Sequence, residues 1–526
     1  MSTCRVYRQP ARVSGVQDRV IAERYDGRDE GGVGVSSLSK SRFQKGLQCP
    51  RALWLAVHRR DLAAPVTESQ QWIFDQGSEV GRLAQQLFPG GVEVTEDHRH
   101  PDEALATTRR LLAEGATALY EPAFSYGGAF ARVDILAAAG DGRWDLYEVK
   151  SSGSVKDVHI TDAAVQAYAV EGSYLPLRTI NIVHIDTSYV YDGGGYDPGA
   201  LFTIADVTDR ARAAMASVPG DLARLGAMLE GPEPQVRIGS QCSSPYTCDF
   251  VGHCDAFLPG EYPVTALPRI SDSVLHALLD AGVTSIRDVP DSFPGLTTAQ
   301  REVVAVVKTG QPHVDAAGLA RDLARLRWPV HHLDFETVNP ALPLWQGTRP
   351  YQQIPFQYSI HTHHEGGDVE HSEYLHAGPG DPRRELAEHL LADVGETGSV
   401  THYTRYERTQ LEALATALPD LAPAIRRVIE RLVDLAPLIS ANTRHPVAVG
   451  RTSIKQVLPA WCPTLSYADM PIADGQTASV RYLRIVTGRA DAHETAATVR
   501  DLTEYCGLDT YAMVCLLEEM RRQAGV

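Results

Sequence analysis

The sequence predicts two α/β domains in series, joined by a small helical connector. Three observations predict this. The chain has 526 residues, which is long for one core. Its apolar pattern switches repeatedly between helical spacing and short strand-like runs. Two separate acidic constellations, one around Asp134 and Glu148 and one beginning at Asp334 and Glu336, each lie on strand-like runs. A hydrophobic content of 44% with 22% charged residues suits a globular core that needs no disulfides.

Residues 1–35 are expected to be a disordered lead outside the fold. They carry arginines but no apolar run, so they are not a secretory signal. No stretch is apolar for long enough to cross a bilayer, and a cytoplasmic, membrane-free protein is expected. Eight cysteines without an export signal fit a reducing compartment, with Cys4, Cys462, Cys506 and Cys515 as unpaired thiols. A net charge of −17 excludes nucleic-acid adhesion over the whole surface. Phosphate contacts would come from local patches such as Arg42, Lys45, Arg51, Arg59 and Arg60, or Arg321, Arg325 and Arg327; a solvated charged face explains any one patch equally well.

The first domain is expected over residues 36–257. Ser39 is placed to cap a helix that ends at a Cys49-Pro50 turn, with a second helix after it. Helices follow over 72–88 and 101–115. Strands are expected over 117–124, 129–138 and 144–149, the last two joined by the hairpin turn Gly140–Arg143. A helix near 161–171, a strand over 179–185 and helices over 205–229 complete the domain.

Glu148 and Lys150 are two apart on a strand and project from one face, and Asp134 on the preceding strand reaches the same point. Two carboxylates suit Mg²⁺ or Mn²⁺, and the lysine can orient water or neutralise a phosphate oxyanion. Glu121 is a candidate further ligand. Cys242-x5-Cys248-x5-Cys254 offers three thiolates on one loop, and Cys49 a fourth. Four thiolates fit a 4Fe–4S cluster or Zn²⁺.

Residues 36–257 resemble the RecB-like PD-(D/E)XK nucleases that carry an iron–sulfur cluster, including those of CRISPR adaptation and the AddB type. The resemblance implies a restriction-endonuclease-like fold. It places Asp134, Glu148 and Lys150 on metal and catalytic positions, and Gln166 near a substrate-contacting glutamine. Val170 stands where the family has a tyrosine, with Tyr168 nearby as the substrate contact. The family's upstream histidine is replaced within Gly77–Gly81, where Glu79 is the nearest candidate ligand. The split of one cysteine before the core and three after it implies a 4Fe–4S cluster with a structural role, clamping the ends of the domain.

A connector is expected over 258–318, with short helices around Leu275–Leu279 and after Gly282. It resembles a helix-hairpin-helix, though a plain interdomain helical pair fits the same pattern. The second domain is expected over 319–526, with strands at 330–336, 354–363 and 399–403. Helices are expected at 382–393, 407–417, 420–432 and 492–523. Asp334 and Glu336 share one face of the first strand, Glu407 follows a later strand, and Tyr505 and Asp509 share a helix face at i, i+4. This order resembles the DnaQ-like DEDD exonucleases of the DEDDy type, with an RNase H-like fold. It implies two Mg²⁺ or Mn²⁺ ions held by Asp334, Glu336, Glu407 and Asp509, with Tyr505 bonding the attacking water. Glu407 stands where the family has aspartate, Asp434 is a secondary candidate, and Lys455 offers a phosphate contact.

From Leu38 onward the chain resembles an uncharacterised bacterial family that joins these two domains, through LSKSRFQKGLQCPRALWL, WDLYEVKSS, LDFET, SIKQVLPA and EYCGLDTYAM. The resemblance implies a metal-dependent nuclease acting on DNA, single-stranded or with ends, in repair or mobile-element defence. The competing expectations are an RNA 3′–5′ exonuclease that uses only the C-terminal site, and a nucleic-acid-binding scaffold that does not cut.

Overall fold

The computed structural model describes residues 37–258 and 260–526. The expected lead over 1–35, with Cys4, lies outside the described residues. The fold is mixed α/β, and the chain divides into two compact units. The first takes the chain through residue 54, with 73–185 and 198–234; the second takes 55–72, 186–197 and 235–526. Residues 55–72, 186–197 and 235–257, expected in the first domain, therefore group with the second unit, as does the connector.

The first unit has two sheets. The larger runs in the order Val92–Glu93, Ala118–Tyr120, Ile135–Ala138, Trp144–Lys150, Leu177–Ile185, Phe202–Asp206. The smaller runs Leu38–Ser39, Ala129–Arg132, Ala123–Tyr126. The expected strands 117–124 and 129–138 are each broken in two, because the hairpin passes from one sheet to the other. The break is local chemistry. Pro122 has no N–H to give a ladder, and Glu121 turns into the left-handed region at φ 56°. Across the same corner the Val133 N–H donates to the Pro122 carbonyl at 3.0 Å, and the Glu121 N–H to the Asp134 carbonyl at 3.1 Å. An edge strand, Phe202–Asp206, was not expected; it takes the first two residues, 205 and 206, of the stretch expected as helix. Helix Asp157–Gly172 packs against both sheets and is apolar nearly all round, so it is buried along most of its length.

The second unit is built on a five-stranded sheet in the order Val369–Leu375, Ile354–His363, Val330–Val338, Ser399–His402, Leu432–Asp434. The first three strands are antiparallel neighbours; the last three are parallel, and two helices join the final pair. Leu333, Phe335, Tyr358 and Ile360 face one layer, with Leu386, Leu390, Leu411 and Ile425 of helices Arg383–Asp393, Tyr406–Ala417 and Ala422–Glu430. The other layer holds helices Ile454–Trp461, Gly475–Val486 and Ala492–Ala524, with Leu458, Tyr482, Leu502 and Leu516 in its core. Helices Asp272–Asp280 and Thr298–Thr309 share a separate apolar cluster that includes Leu278 and Val303. The short helix expected after Gly282 is a single 3-10 turn, Ile286–Asp288. Among the described residues no helix is long and apolar enough to cross a membrane.

Candidate active sites

The corner at Asp134 builds the first site. Pairing between Ile135–Ala138 and Trp144–Lys150 stops at Ile135 and Tyr147. The Val149 N–H beyond it donates to Asp134 Oδ2 at 2.7 Å, which fixes that carboxylate beside Glu148. Glu148 is buried and fully engaged. Its Oε1 accepts from Lys150 at 2.6 Å and Lys40 at 2.8 Å, and its Oε2 from Gln166 at 2.7 Å and Lys40 at 3.1 Å. Lys150 also pairs with Asp162, one helical turn before Gln166. Lys40 Nζ lies 3.8 Å from Asp134 Oδ1.

The charges in this site nearly balance. Burial opposes ionisation of Glu148, but Lys150 and Lys40 outweigh it and hold its carboxyl well below the usual range. Burial and the neighbouring Glu148 push Asp134 well up. Burial would lower the Lys40 ammonium, yet Glu148, Asp134 and Asp162 raise it well above its ordinary value. The two expected carboxylates, the lysine and Gln166 are thus together. Lys40 and Asp162 are the members that sequence reasoning missed. Asp162 had a signal, since it stands four before Gln166 on one helix face.

Two expected partners, Tyr168 and Glu121, are engaged otherwise. Tyr168 is two residues past Gln166, about 200° round the helix. Its ring packs on Tyr126 with centroids 5.2 Å apart, so it is not brought to the carboxylates. Glu121 pairs with Arg132 at 3.3 Å. Glu79 lies on helix Glu68–Gln85. Of the basic patches, Arg51 is paired with Glu233 at 2.6 Å and Arg59 with Asp61 at 2.8 Å.

The second site lies where the parallel strands end. Ser399–His402 pairs with Val330–Val338 only over residues 330–332, so Asp334 and Glu336 project past its carboxyl end. Carboxyl ends of parallel strands are where open α/β sheets place ligands. Glu407 enters from the first turn of helix Tyr406–Ala417, and its carboxyl is within hydrogen-bonding reach of Asp334. Its Oε2 lies 3.3 Å from His402 Nδ1, which is engaged with the Thr404 carbonyl. Tyr505 and Asp509 come from the middle of helix Ala492–Ala524, one turn apart. Asp509 Oδ1 accepts from the Tyr467 hydroxyl at 2.6 Å. Lys455 Nζ donates to the Tyr505 hydroxyl and to the Ala473 carbonyl, both at 2.6 Å.

Here the acids are not balanced. Burial and the charges of Asp509 and Glu407 push Asp334 well up, and burial with Asp334 and Asp509 does the same to Glu336. Burial is the largest cause for Glu407, which is pushed up to about 8. Ligand atoms of Asp334, Glu336 and Cys506 lie within 4.8 Å of one another. At an effective dielectric of about 20, two charges that close repel by roughly 3 kcal/mol, more than the ~1.4 kcal/mol of one pKa unit. Lys455, the ammonium that the described residues bring to the cluster, donates to a phenol and a carbonyl, and its charge offsets only part of the rise at Glu336 and Asp509.

Residues 331–453 match a family model described as a domain of unknown function, DUF2779. No curated protein matches the chain. The DUF2779 segment contains Asp334, Glu336 and Glu407 and ends just before Lys455, so the helix with Tyr505 and Asp509 lies beyond it.

Asp334, Glu336, Glu407, Lys455, Tyr505 and Asp509 all belong to this one cluster. Asp434 is engaged through one oxygen: its Oδ1 accepts from Thr404 N at 3.1 Å and Ala436 N at 3.0 Å, capping the next helix. Sequence reasoning missed Tyr467 and Cys506. Tyr467 comes from an irregular segment with no periodicity to place it. Cys506 had a signal, three residues before Asp509 on the same helix, but it was read as an unpaired thiol. Its Sγ lies 3.7 Å from Asp334 Oδ2.

The cysteines expected as a clamp fall in different units, Cys49 in the first and Cys242, Cys248 and Cys254 in the second. The three share one tight loop, in which Cys248 N donates to the Cys242 carbonyl at 2.9 Å and Cys254 N to the Phe250 carbonyl at 3.0 Å.

Proposed function

We propose that the chain is a divalent-metal-dependent nuclease whose C-terminal unit hydrolyses phosphodiester bonds. The observation that carries this reading is the cluster of buried Glu336, Glu407 and Asp509 with half-buried Asp334, in which, among the described residues, no ammonium is hydrogen-bonded to any of the four carboxylates. Buried carboxylates persist only when protonated or paired with cations. All-oxygen donors suit Mg²⁺ or Mn²⁺, so these four residues fit the expected ions and would hold them. Such an ion, when bound, polarises the phosphate and makes the attacking water more acidic. The protein's own groups do the rest. Lys455 fixes the Tyr505 hydroxyl, and Tyr467 fixes Asp509. The RNase H-like assignment rests on this constellation and on the sequence resemblance.

The substrate is nucleic acid, DNA favoured over RNA by resemblance. The charge balance of the two sites favours one catalytic centre, the C-terminal one. The N-terminal unit is assigned to the PD-(D/E)XK type, with Asp134, Glu148, Lys150 and Gln166 as its site. Cys49, Cys242, Cys248 and Cys254 supply soft donors suited to a 4Fe–4S cluster, or to Zn²⁺.

The test uses anaerobically purified chain on end-labelled single-stranded DNA and RNA with Mg²⁺ or Mn²⁺. Asp334→Asn and Asp509→Asn are each expected to lower cleavage by at least about 100-fold. Lys150→Ala is expected to leave most of it. Metal-dependent cleavage that survives both C-terminal substitutions would overturn the assignment, and binding without cleavage under either metal would favour a scaffold.

A further inference from the structure

The first site differs from the second in one residue that its metal assignment does not use. Lys40 is the first residue of helix Lys40–Gln48, with Ser39 as the N-cap accepting from Arg42 N at 3.3 Å. Strand Leu38–Ser39 pairs in parallel with Ala129–Arg132, so the backbone at Lys40 is anchored beside the Asp134 corner. A cation in the first helical turn is disfavoured by the helix dipole. Its side chain nonetheless turns inward, with Nζ 2.8 and 3.1 Å from the two Glu148 oxygens and 3.8 Å from Asp134 Oδ1.

We infer that Lys40 is the resident cation of the first site and competes with divalent metal for the Asp134–Glu148 pair. An ion bonded to both carboxylates, at about 2.1 Å from each oxygen, would take the space that this ammonium fills. The charge count agrees. With all three acids ionised, as a bound cation would require of Asp134 and Glu148, Asp134, Glu148 and Asp162 against Lys40 and Lys150 leave one net negative charge. Without Lys40 the balance is two, which one divalent ion neutralises. The Lys40 side chain is 26% exposed, so it has a path outward. The inference rests on reading Asp134 and Glu148 as a metal-type pair. It does not depend on whether the chain cuts nucleic acid.

The experiment uses the full chain carrying Asp334→Asn and Asp509→Asn, which removes the C-terminal site. Mn²⁺ binding is followed by paramagnetic resonance of the free ion. Adding Lys40→Met is expected to tighten the affinity of one site at least tenfold. Lys40→Arg should stay as weak as the parent, and Asp134→Asn on top of Lys40→Met should abolish the gain. Equal affinity in the parent and Lys40→Met would overturn the inference. A second measurement needs no change at residue 40. Reductive methylation of Lys40, read by mass spectrometry, should speed up severalfold at saturating Mn²⁺ as the ammonium is displaced. Unchanged reactivity with Mn²⁺ bound would overturn it equally, and covers the case in which Lys40→Met does not fold.

Discussion

Lys150 and Lys40 both reach Glu148, whereas Lys455 turns to a phenol and a carbonyl; the two acidic clusters differ in charge balance chiefly for that reason. The consequence for the second site is a conflict between stability and chemistry, as expected where like charges are buried together. Asp334→Asn removes one of those charges. In chelator it should melt higher than the parent, by about 1 kcal/mol or ~2–4 °C, while losing activity. It should also lose most of the stabilisation that Mn²⁺ gives the parent by binding the folded state. A lower melting temperature in chelator would mean that the cluster is not repulsive without metal. At this scale the sequence was informative where residue type and spacing coincide, as at Asp334, Glu336, Tyr505 and Asp509. It was silent for Lys40, which reads as an ordinary solvated lysine at a helix start, and for Tyr467, whose placement is set only by tertiary packing.

Helix Ala492–Ala524 is the element on which the second site depends most. Asp491 and Glu494 form a reciprocal capping box, with Glu494 N donating to Asp491 Oδ1 at 2.8 Å, and Gly525 ends the helix at φ 75°. Both ends were legible from those residues. Gly507 stands between Tyr505 and Asp509, where a glycine costs helix stability. An added Cβ there would meet only the His371 ring at 3.7 Å, an ordinary contact. Gly507→Ala is therefore expected to stabilise the protein by about 0.5–1 kcal/mol in denaturant melts and to leave metal binding intact. Lost cleavage with metal binding retained would show that substrate approaches the backbone there. Elements were misread where two sheets meet. Residues 117–138 look like two uninterrupted strands because the apolar alternation continues through the corner, and only Pro122 marks the break. Strand Val369–Leu375 went unrecognised because it is a largely polar edge, VEHSEYL, with little apolar alternation to reveal it.

Across the whole molecule, histidines buried in the neutral form link stability to pH in both units. His159 in the first unit and His331 in the second are each lowered from 6.5 to about 4, chiefly by burial. His159 Nδ1 accepts from Lys156 N at 3.2 Å, and an added proton there would face the ammoniums of Lys150 and Lys156. His331 is held between the Thr362 hydroxyl at 3.0 Å and the Thr397 carbonyl at 3.1 Å, with Arg431 and His364 nearby. Because the folded values lie below the unfolded one, the unfolded chain binds more protons between pH 6.5 and 4. Stability from these groups is then fully present above about pH 6.5 and is lost as pH falls towards 4, by up to roughly 3 kcal/mol each. The raised carboxyls of Asp334 and Glu407 act in the opposite direction in chelator, so the informative quantity is a difference between proteins. His159→Gln with His331→Gln should lose less melting temperature between pH 7 and 5 than the parent does, by several degrees. Parallel pH profiles for the two proteins would show that these imidazoles accept protons without disturbing the fold, and that neither the Lys156 cap nor the Thr397 contact depends on a neutral ring.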